Sequence, residues 1–336
     1  MNWKRINSIS FLRVFSILSI VIYHLSRASI DAGFTPSMSH EMDILSMLGV
    51  SFFIIISGAS LNVSMKKNRS TLDFFKKRIK SIYIPFWTAY IIVSILLYLS
   101  RGRISLGTDV YKLLLTFSGM DGWLGWRTQT YYLIGEWFTG FILILYLFAP
   151  LIFIGVTKNK WIMLSLSFVV SFFSYNFNDD LRNYIDILNP VSMWNPGTRL
   201  FEFVFGFIIY DYILGDKKTR ISLFMISLFI CIAYILSPKI IINTYVFVPF
   251  FIAMFCFISI VYESIITSDS VNKKIEYASG FSFFVFLFHH IIIYEAYDYG
   301  IINYKTDFQF YFGFISIIVL CVLLSKPAML ISSRFK

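Results

Sequence analysis

The first long apolar run of the chain reads Ile9-Ser-Phe-Leu-Arg13-Val-Phe-Ser-Ile-Leu-Ser-Ile-Val-Ile-Tyr-His24. Apart from small serines, its strongly polar side chains are one Arg near the start and one His at the end. Eleven residues turn a helix through about 1,100°, so Arg13 and His24 face the same side, about 16 Å apart along the axis. Ionisable side chains are costly inside a membrane helix, so two on one face suggest that this face lines a cavity. The alternative is an arginine at the membrane surface and an incidental histidine.

Similar apolar runs recur along the whole chain and predict an all-α polytopic membrane protein. The 336 residues are 57% hydrophobic and only 14% charged, whereas an average soluble chain has about 25% charged residues. The runs are about 20 residues long, as a bilayer requires, and they are continuous rather than alternating, which disfavours a β-barrel. The net charge of +10 lies in short loops and does not indicate nucleic-acid binding. The cysteines fall inside predicted spans, without disulfide or metal-ligand spacing: Cys231, Cys256 and Cys321.

Ten transmembrane helices are predicted, in a single domain covering residues 1–336. With ten spans, the inside segments hold 19 of the 29 Lys and Arg residues and the outside segments hold 9, which predicts that both termini are cytoplasmic. No small-residue cleavage site follows the first run, so we expect a retained first helix. The approximate bounds of the spans are 8–26, 44–65, 82–99, 131–156, 161–176, 198–214, 221–236, 240–262, 281–297 and 309–330.

Several ionisable residues fall within the predicted spans. His289 and His290 lie in mid-span, where water is scarce. Adjacent helical residues point about 100° apart, so at most one of the two is expected to face a given cavity. Glu136 and Glu202 lie near outer span ends, where they can reach the interface. Glu202 also stands three residues from Arg199, which is the spacing of a helical ion pair.

The most basic segment, residues 66–80, has two interpretations. Topology and attraction to anionic lipids explain its charge without any site. Alternatively, Arg78 and Lys80 form a clamp for a pyrophosphate or a ribose phosphate. In the preceding span, the small residues of Ser57-Gly58 predict a close approach between helices.

Six motifs follow one another along the chain, namely Arg13-x10-His24, Ser51-Phe-Phe-x3-Ser57-Gly58, Lys77-Arg78-Ile79 leading to Pro85, Trp137-Phe138 with Tyr146 and Pro150, Arg199-x-x-Glu202-Phe203-x-x-Gly206, and Ser282-Phe-Phe-Val-Phe-Leu-Phe-His289. Taken in this order, they resemble the acyltransferase-3 family of integral-membrane acyltransferases. The resemblance departs from the family pattern at Ser10, where an Asp is common, and in the last motif, where Phe replaces Tyr. That motif assigns the family histidine to His289 rather than His290. No segment like the hydrolase-like extracytoplasmic domain of some members is expected after residue 336.

The resemblance implies transfer of an acyl group, usually acetyl, from acetyl-CoA to a carbohydrate hydroxyl. A base must take the hydroxyl proton, and histidine is the side chain best matched to neutral pH, so we assign this role to His24. Cationic anchors for the CoA phosphates are assigned to Arg78 and Lys80, with Arg13 deeper along the pantetheine path. Alternatively, Arg13 orients a carboxylate. We expect no permanently bound cofactor and no metal, and the predicted catalytic set is His24, Arg13, His289, Glu136 and Glu202.

The sequence therefore predicts a multi-pass O-acetyltransferase of a bacterial plasma membrane. Its predicted partners are acetyl-CoA, membrane lipids and a cell-surface polysaccharide or its lipid-linked precursor, and not nucleic acid. Three alternatives stay open at this point: a donor with another acyl group such as succinyl, a transporter or flippase for lipid-linked saccharides, and a structural membrane subunit.

Overall fold

The computed structural model describes residues 6–67, 70–102, 109–236, 245 and 247–335. Within these residues the regular structure is helical throughout, with two short 3-10 turns at Val110–Lys112 and Ser192–Trp194. The α-helices are α1 (Asn7–Asp31), α2 (Ser39–Lys67), α3 (Thr71–Arg101), α4 (Leu113–Ser118), α5 (Asp121–Leu124), α6 (Glu136–Asn176), α7 (Asn178–Tyr184), α8 (Leu200–Ile213), α9 (Lys217–Leu236), α10 (Phe247–Ile265), α11 (Asp269–Gly280), α12 (Ser282–Asp298) and α13 (Asp307–Ser333).

The helices confirm an all-α, multi-pass membrane protein. Seven of those in the described ranges are long and apolar enough to cross a membrane, namely α1, α2, α3, α6, α9, α10 and α13. The bent pair α11 and α12 passes the same test together, which gives up to eight candidate spans. The predicted count of ten differs because α8 has only 14 residues and because α6 carries two of the predicted spans. The orientation of the termini stays a prediction.

A break inside α6 separates its two predicted spans. Asn159 has non-helical backbone angles, φ −154° and ψ 100°. Its Oδ1 accepts hydrogen bonds from the backbone N–H groups of Trp161 and Ile162, both at 3.1 Å. An Asn side chain that accepts from the second and third following amides is an N-cap, which starts a new helical segment. The break lies between the predicted spans 131–156 and 161–176, in the short linker 158–160 that separates them.

The described residues form two compact units. The first comprises those within Met1–Ser16, Leu48–Arg69 and Ile144–Ser279, and the second those within Ile17–Met47, Ser70–Leu143 and Gly280–Lys336. In the first unit, α10 packs against α8 and α9. In the second unit, α12 and α13 pack against each other and against α3. The single domain expected from the sequence stays a prediction.

Two glycines let α2 and α8 approach closely in the first unit. A Cβ atom on Gly58 would lie 2.1 Å from the carbonyl oxygen of Phe203, and one on Gly206 would lie 2.2 Å from a backbone carbonyl of α2. One turn further along α2, Asn62 donates its side-chain N–H to the carbonyl of Phe207 at 2.6 Å. The predicted close approach at Gly58 is thus confirmed, and Gly206 is its counterpart.

Candidate active site

Three of the four histidines in the chain come together in the second unit. His24 lies in the C-terminal half of α1, and His289 and His290 lie in the middle of α12. The Nε2 atom of His290 is 3.0 Å from Nδ1 of His24, across 266 residues of sequence. The His24 ring centroid is 4.2 Å from that of His290 and 5.3 Å from that of His289. These side chains therefore form one imidazole cluster.

Hydrogen bonding restricts the proton positions in this cluster. The bond between His24 and His290 joins two ring nitrogens, so one ring donates its N–H to the lone pair of the other. His289 is fully buried, and its Nδ1 lies 2.8 Å from the backbone carbonyl oxygen of Phe286. A carbonyl can only accept, so Nδ1 of His289 carries the proton and, in the neutral ring, Nε2 carries the lone pair.

A cavity of about 390 Å³ opens beside the cluster within the second unit. It is large enough for part of a small substrate. Of the two adjacent histidines on α12, His290 is the one that lines it. The edge of Tyr294 packs against His290, with ring centroids 4.8 Å apart. The polar part of the lining consists of His24, Arg27, Asp31, His290, Tyr294, Tyr297 and Asp298.

The family to which this chain belongs follows from its match to a known protein family. The acyltransferase-3 family model, described as an acyltransferase domain, matches residues 6–326. The chain belongs to the acyltransferase-3 family. This membership confirms the resemblance drawn from the six motifs and indicates an enzyme that uses an acyl donor and an acceptor. No match to the chain was found among curated proteins or among solved structures.

In this acyltransferase-3 protein, the opening motif occupies one continuous helix. Arg13 and His24 both lie on α1, as predicted. Arg13 is half-buried and belongs to the first unit, whereas His24 is half-buried and belongs to the second. The catalytic and CoA-binding roles of Arg13 stay predictions.

The fifth motif of the acyltransferase forms a buried ion pair in the first unit. Arg199 Nε lies 2.5 Å from Glu202 Oε2, with both side chains almost fully buried. The guanidinium also donates to Ser51 Oγ on α2 at 2.8 Å. The helical ion pair predicted from the spacing is confirmed. The hydrogen bond to Ser51 joins the start of α8 to α2. Removing one partner of the buried ion pair is expected to destabilise the protein, because the other charge would be left buried and unpaired. A catalytic role for Glu202 stays a prediction.

Of the remaining predicted site residues, Arg78 and Lys80 do not line the histidine cavity, and the side chain of Glu136 is not among those that the structure describes. Arg78 and Lys80 lie in the N-terminal half of α3, where Arg78 is half-buried and Lys80 exposed. The Arg78 guanidinium carbon is 5.9 Å from the centroid of the Phe74 ring. Neither residue is among those lining the described cavity. Glu136 is the first residue of α6, and its side chain lies outside the described residues.

His290 is the residue that the family motif did not select. The His289-His290 doublet is visible in mid-span in the sequence, but the motif favours His289. The direct partner of His24 is His290. The choice depends on the rotation of α12 about its axis, which packing against other helices sets. The doublet itself was the only signal in the sequence.

A buried carboxyl group in the segment between α3 and α6 was not foreseen either. Asp121 begins the short helix α5 and is 3% exposed. Burial raises the pKa of its carboxyl group to about 6, from a reference of 3.8. The folded protein therefore binds this proton more tightly than the unfolded chain does.

We expect Asp121 to make the stability of the acyltransferase depend on pH. Because the folded state binds the proton more tightly than the unfolded state, stability is highest at low pH and falls as pH rises from about 4 to about 6. Two pKa units correspond to about 3 kcal/mol at most. Asp121→Asn removes this loss, so its thermal midpoint in detergent should exceed that of the wild type at pH 7.5 but not near pH 4. Asp180→Asn, at an exposed acidic residue of α7, is the control, and its thermal midpoint should change with pH as that of the wild type does. An equal midpoint change with pH in the wild type and Asp121→Asn would contradict this account.

Proposed function

We propose that this acyltransferase-3 protein is a membrane O-acetyltransferase. It moves an acetyl group from acetyl-CoA to a hydroxyl of a cell-surface polysaccharide or of its lipid-linked precursor. The observation that carries the proposal is the hydrogen bond between His24 and His290 at the wall of a cavity. A base oriented by a second polar group beside room for a substrate is the arrangement that acyl transfer to a hydroxyl requires.

In this mechanism His24 is the general base. Its Nδ1–H donates to Nε2 of His290, which leaves the lone pair on Nε2 of His24 to accept the proton of the acceptor hydroxyl. The hydroxyl oxygen attacks the thioester carbonyl, and the tetrahedral intermediate collapses to the acetyl ester. The CoA thiolate leaves and takes the proton back from the imidazolium. His290 is the positioning residue that holds the productive tautomer, as the third member of a catalytic triad does.

The transient oxyanion needs hydrogen-bond donors or a positive charge beside it. Three donors line the same cavity, namely Arg27, Tyr294 and Tyr297. The Arg27 guanidinium is held at 2.7 Å by the Asp43 carboxylate of α2, so it is oriented before substrate binds. The tyrosine hydroxyls can donate without a change of charge. We assign oxyanion stabilisation to this group of donors.

Acetyl-CoA enters from the cytosol in this proposal. Arg13 and His24 are separated by about 16 Å along α1, which is of the order of the length of a pantetheine arm. The arm can therefore deliver the thioester to His24 while the nucleotide stays near the cytoplasmic end of the helix. Direct attack by the acceptor and passage through an acetylated histidine both satisfy this geometry.

The acceptor class is tested by deleting the gene and measuring both O-acetylation and export of the surface glycan by NMR and by mass recovered. The proposal expects loss of O-acetyl signals, restoration by the wild-type gene, and unchanged export. Loss of export with O-acetylation intact on the remaining glycan would instead indicate a transporter. Loss of O-succinyl rather than O-acetyl signals would reassign the donor.

The CoA clamp gives a separate prediction. We expect Arg78→Ala to weaken acetyl-CoA binding about 10- to 150-fold, because a charge-assisted hydrogen bond to phosphate contributes about 1.5–3 kcal/mol. Titration of the purified protein with acetyl-CoA measures the dissociation constant. Arg334→Ala, an exposed arginine just after α13, is the matched control and should bind as the wild type does. Unchanged affinity in Arg78→Ala would remove this residue from the site.

A further inference from the structure

The three histidines are placed closely enough to share a ligand. His24, His289 and His290 each offer one ring nitrogen, and the three nitrogens lie within 4.8 Å of one another. The shortest printed approach within the cluster is between His24 Nδ1 and His290 Nε2, which are 3.0 Å apart. Nitrogen ligands at 2.0–2.1 Å from a tetrahedral zinc ion lie about 3.3 Å from each other. The distance between these two nitrogens is therefore close to the spacing of zinc ligands. The nitrogen of the third ring lies within 4.8 Å of the others, so it needs a shift of about 1.5 Å at most to reach that spacing.

His289 has the support that a metal-binding histidine requires. Its Nδ1–H donates to the carbonyl oxygen of Phe286 at 2.8 Å, on the same helix. Metal-binding histidines almost always donate their other ring N–H to such an acceptor, which fixes the tautomer and directs the remaining lone pair at the ion. His289 is also fully buried, so its ring is held by packing as well as by this bond.

The adjacent cavity supplies an entry path and a favourable charge. His24 and His290 line it, and so do the carboxylate residues Asp31 and Asp298. The one arginine of the lining, Arg27, is paired with Asp43 outside it. Asp298 is ion-paired with Arg101 at 2.8 Å, so the charge that favours a cation entering this cavity comes from Asp31. The cavity also has room for a water molecule as fourth ligand, as a three-histidine zinc site requires.

We propose that His24, His289 and His290 bind one divalent transition-metal ion, with Zn²⁺ as the ion to test. Imidazole nitrogens are preferred ligands of Zn²⁺ and of its neighbours in the first transition series. The ion replaces the proton that His24 and His290 share. This proposal departs from the sequence-based expectation of no metal. His24 and His290 are 266 residues apart, so they show no recognisable metal-ligand spacing in the sequence.

The site has a consequence for acyl transfer that rests on the proposed function. An ion on Nδ1 of His24 leaves the ring proton on Nε2, where the mechanism needs a lone pair. His24 then cannot accept the proton of the acceptor hydroxyl. Metal binding therefore inhibits acetyl transfer, and removal of the ion restores it.

The binding test uses the full chain purified through an affinity tag without histidines and stripped with EDTA. Titration calorimetry with Zn²⁺, with metal analysis after dialysis, is expected to give one ion per chain. His289→Ala and His290→Ala should each weaken binding at least 10-fold, and the corresponding Gln variants are used if an Ala variant does not elute as a single species. His40→Ala is the matched control, since it removes the remaining histidine, which is exposed on α2. Absence of stoichiometric binding, or undiminished binding without His289 and His290, overturns the proposal.

A second measurement separates the metal site from the proposed function. Acetyl transfer by the wild type and by His40→Ala should fall over the range of Zn²⁺ concentration in which the ion binds, and EDTA should restore it. Binding of Zn²⁺ without any acetyl transfer in metal-free protein would reject the function and leave the site. Transfer that proceeds with neither binding nor inhibition by Zn²⁺ would reject the site and leave the function. A rate that rises on binding would overturn the inhibitory role.

Discussion

Replacing His24 with alanine is expected to lower the rate of acetyl transfer about 1,000-fold, because general-base catalysis contributes about 10²–10⁴-fold. The comparison uses turnover of labelled acetyl-CoA and glycan by purified protein. Acetyl-CoA affinity should remain unchanged, since the CoA anchors are assigned to Arg78, Lys80 and Arg13 and not to His24. Added imidazole should restore part of the rate in the truncated variant, because it can occupy the space beside His290 and accept the proton.

His290 distinguishes a catalytic cluster from a lone base. We expect His290→Ala to reduce kcat about 10- to 100-fold with little change in KM for acetyl-CoA, because the variant loses the acceptor that fixes the His24 tautomer. His290→Gln should recover part of kcat, since its amide oxygen can accept the same N–H. His40→Ala serves as the control. Full activity in a well-folded His24→Ala protein would contradict the assignment of His24 as the base. Equal losses of kcat in His290→Ala and His290→Gln would show that His290 contributes only through packing.

Gly58→Ala is expected to destabilise the protein strongly. The added Cβ would lie 2.1 Å from the carbonyl oxygen of Phe203, and a backbone atom in a helix cannot move aside as a side chain can. Overpacking in a core costs about 1–3 kcal/mol, and a clash with backbone falls at the upper end. The loss of stability is measured as the thermal midpoint in detergent, taken from the fraction of protein that stays monodisperse after heating.

The glycine pair provides its own internal tests. Gly206→Ala should lower the midpoint comparably, and the double variant should lose less than both single losses together, because helices already separated by one Cβ have room for the second. Gly280→Ala is the control, since its Cβ meets only Met329 Cε at 3.9 Å. A midpoint in Gly58→Ala equal to that of Gly280→Ala would contradict the close helix contact.

The helices of this protein were predictable where a single physical signal decides them. Long apolar runs require helices in a bilayer, so α1, α2, α3 and α13 appear where the runs lie. The capping side chain of Asn159 lies between the predicted spans 131–156 and 161–176. The number of spans was harder to predict, because α8 has only 14 residues and its apolar run does not reveal that length.

The candidate site was predictable in its parts but not in its arrangement. Spacing alone placed Arg13 and His24 on one helix and Arg199 with Glu202 in one ion pair, since both are local relations. The pairing of Gly58 with Gly206, and of His24 with His290, depends on how distant helices meet. Adjacent positions on a helix differ by about 100°, so a rotation of α12 by about that angle would exchange His289 and His290. Helix packing sets that rotation, and a single sequence does not contain it.

Acetyl transfer by the purified protein in lipid vesicles tests the central claim most directly. The measurement follows labelled acetyl-CoA, the free CoA thiol released, and acetyl esters on added glycan in one reaction. The account predicts that thiol and glycan ester appear in equal amounts with the wild type and that both disappear with His24→Ala. Release of thiol without glycan ester, or ester formation undiminished in His24→Ala, would contradict it.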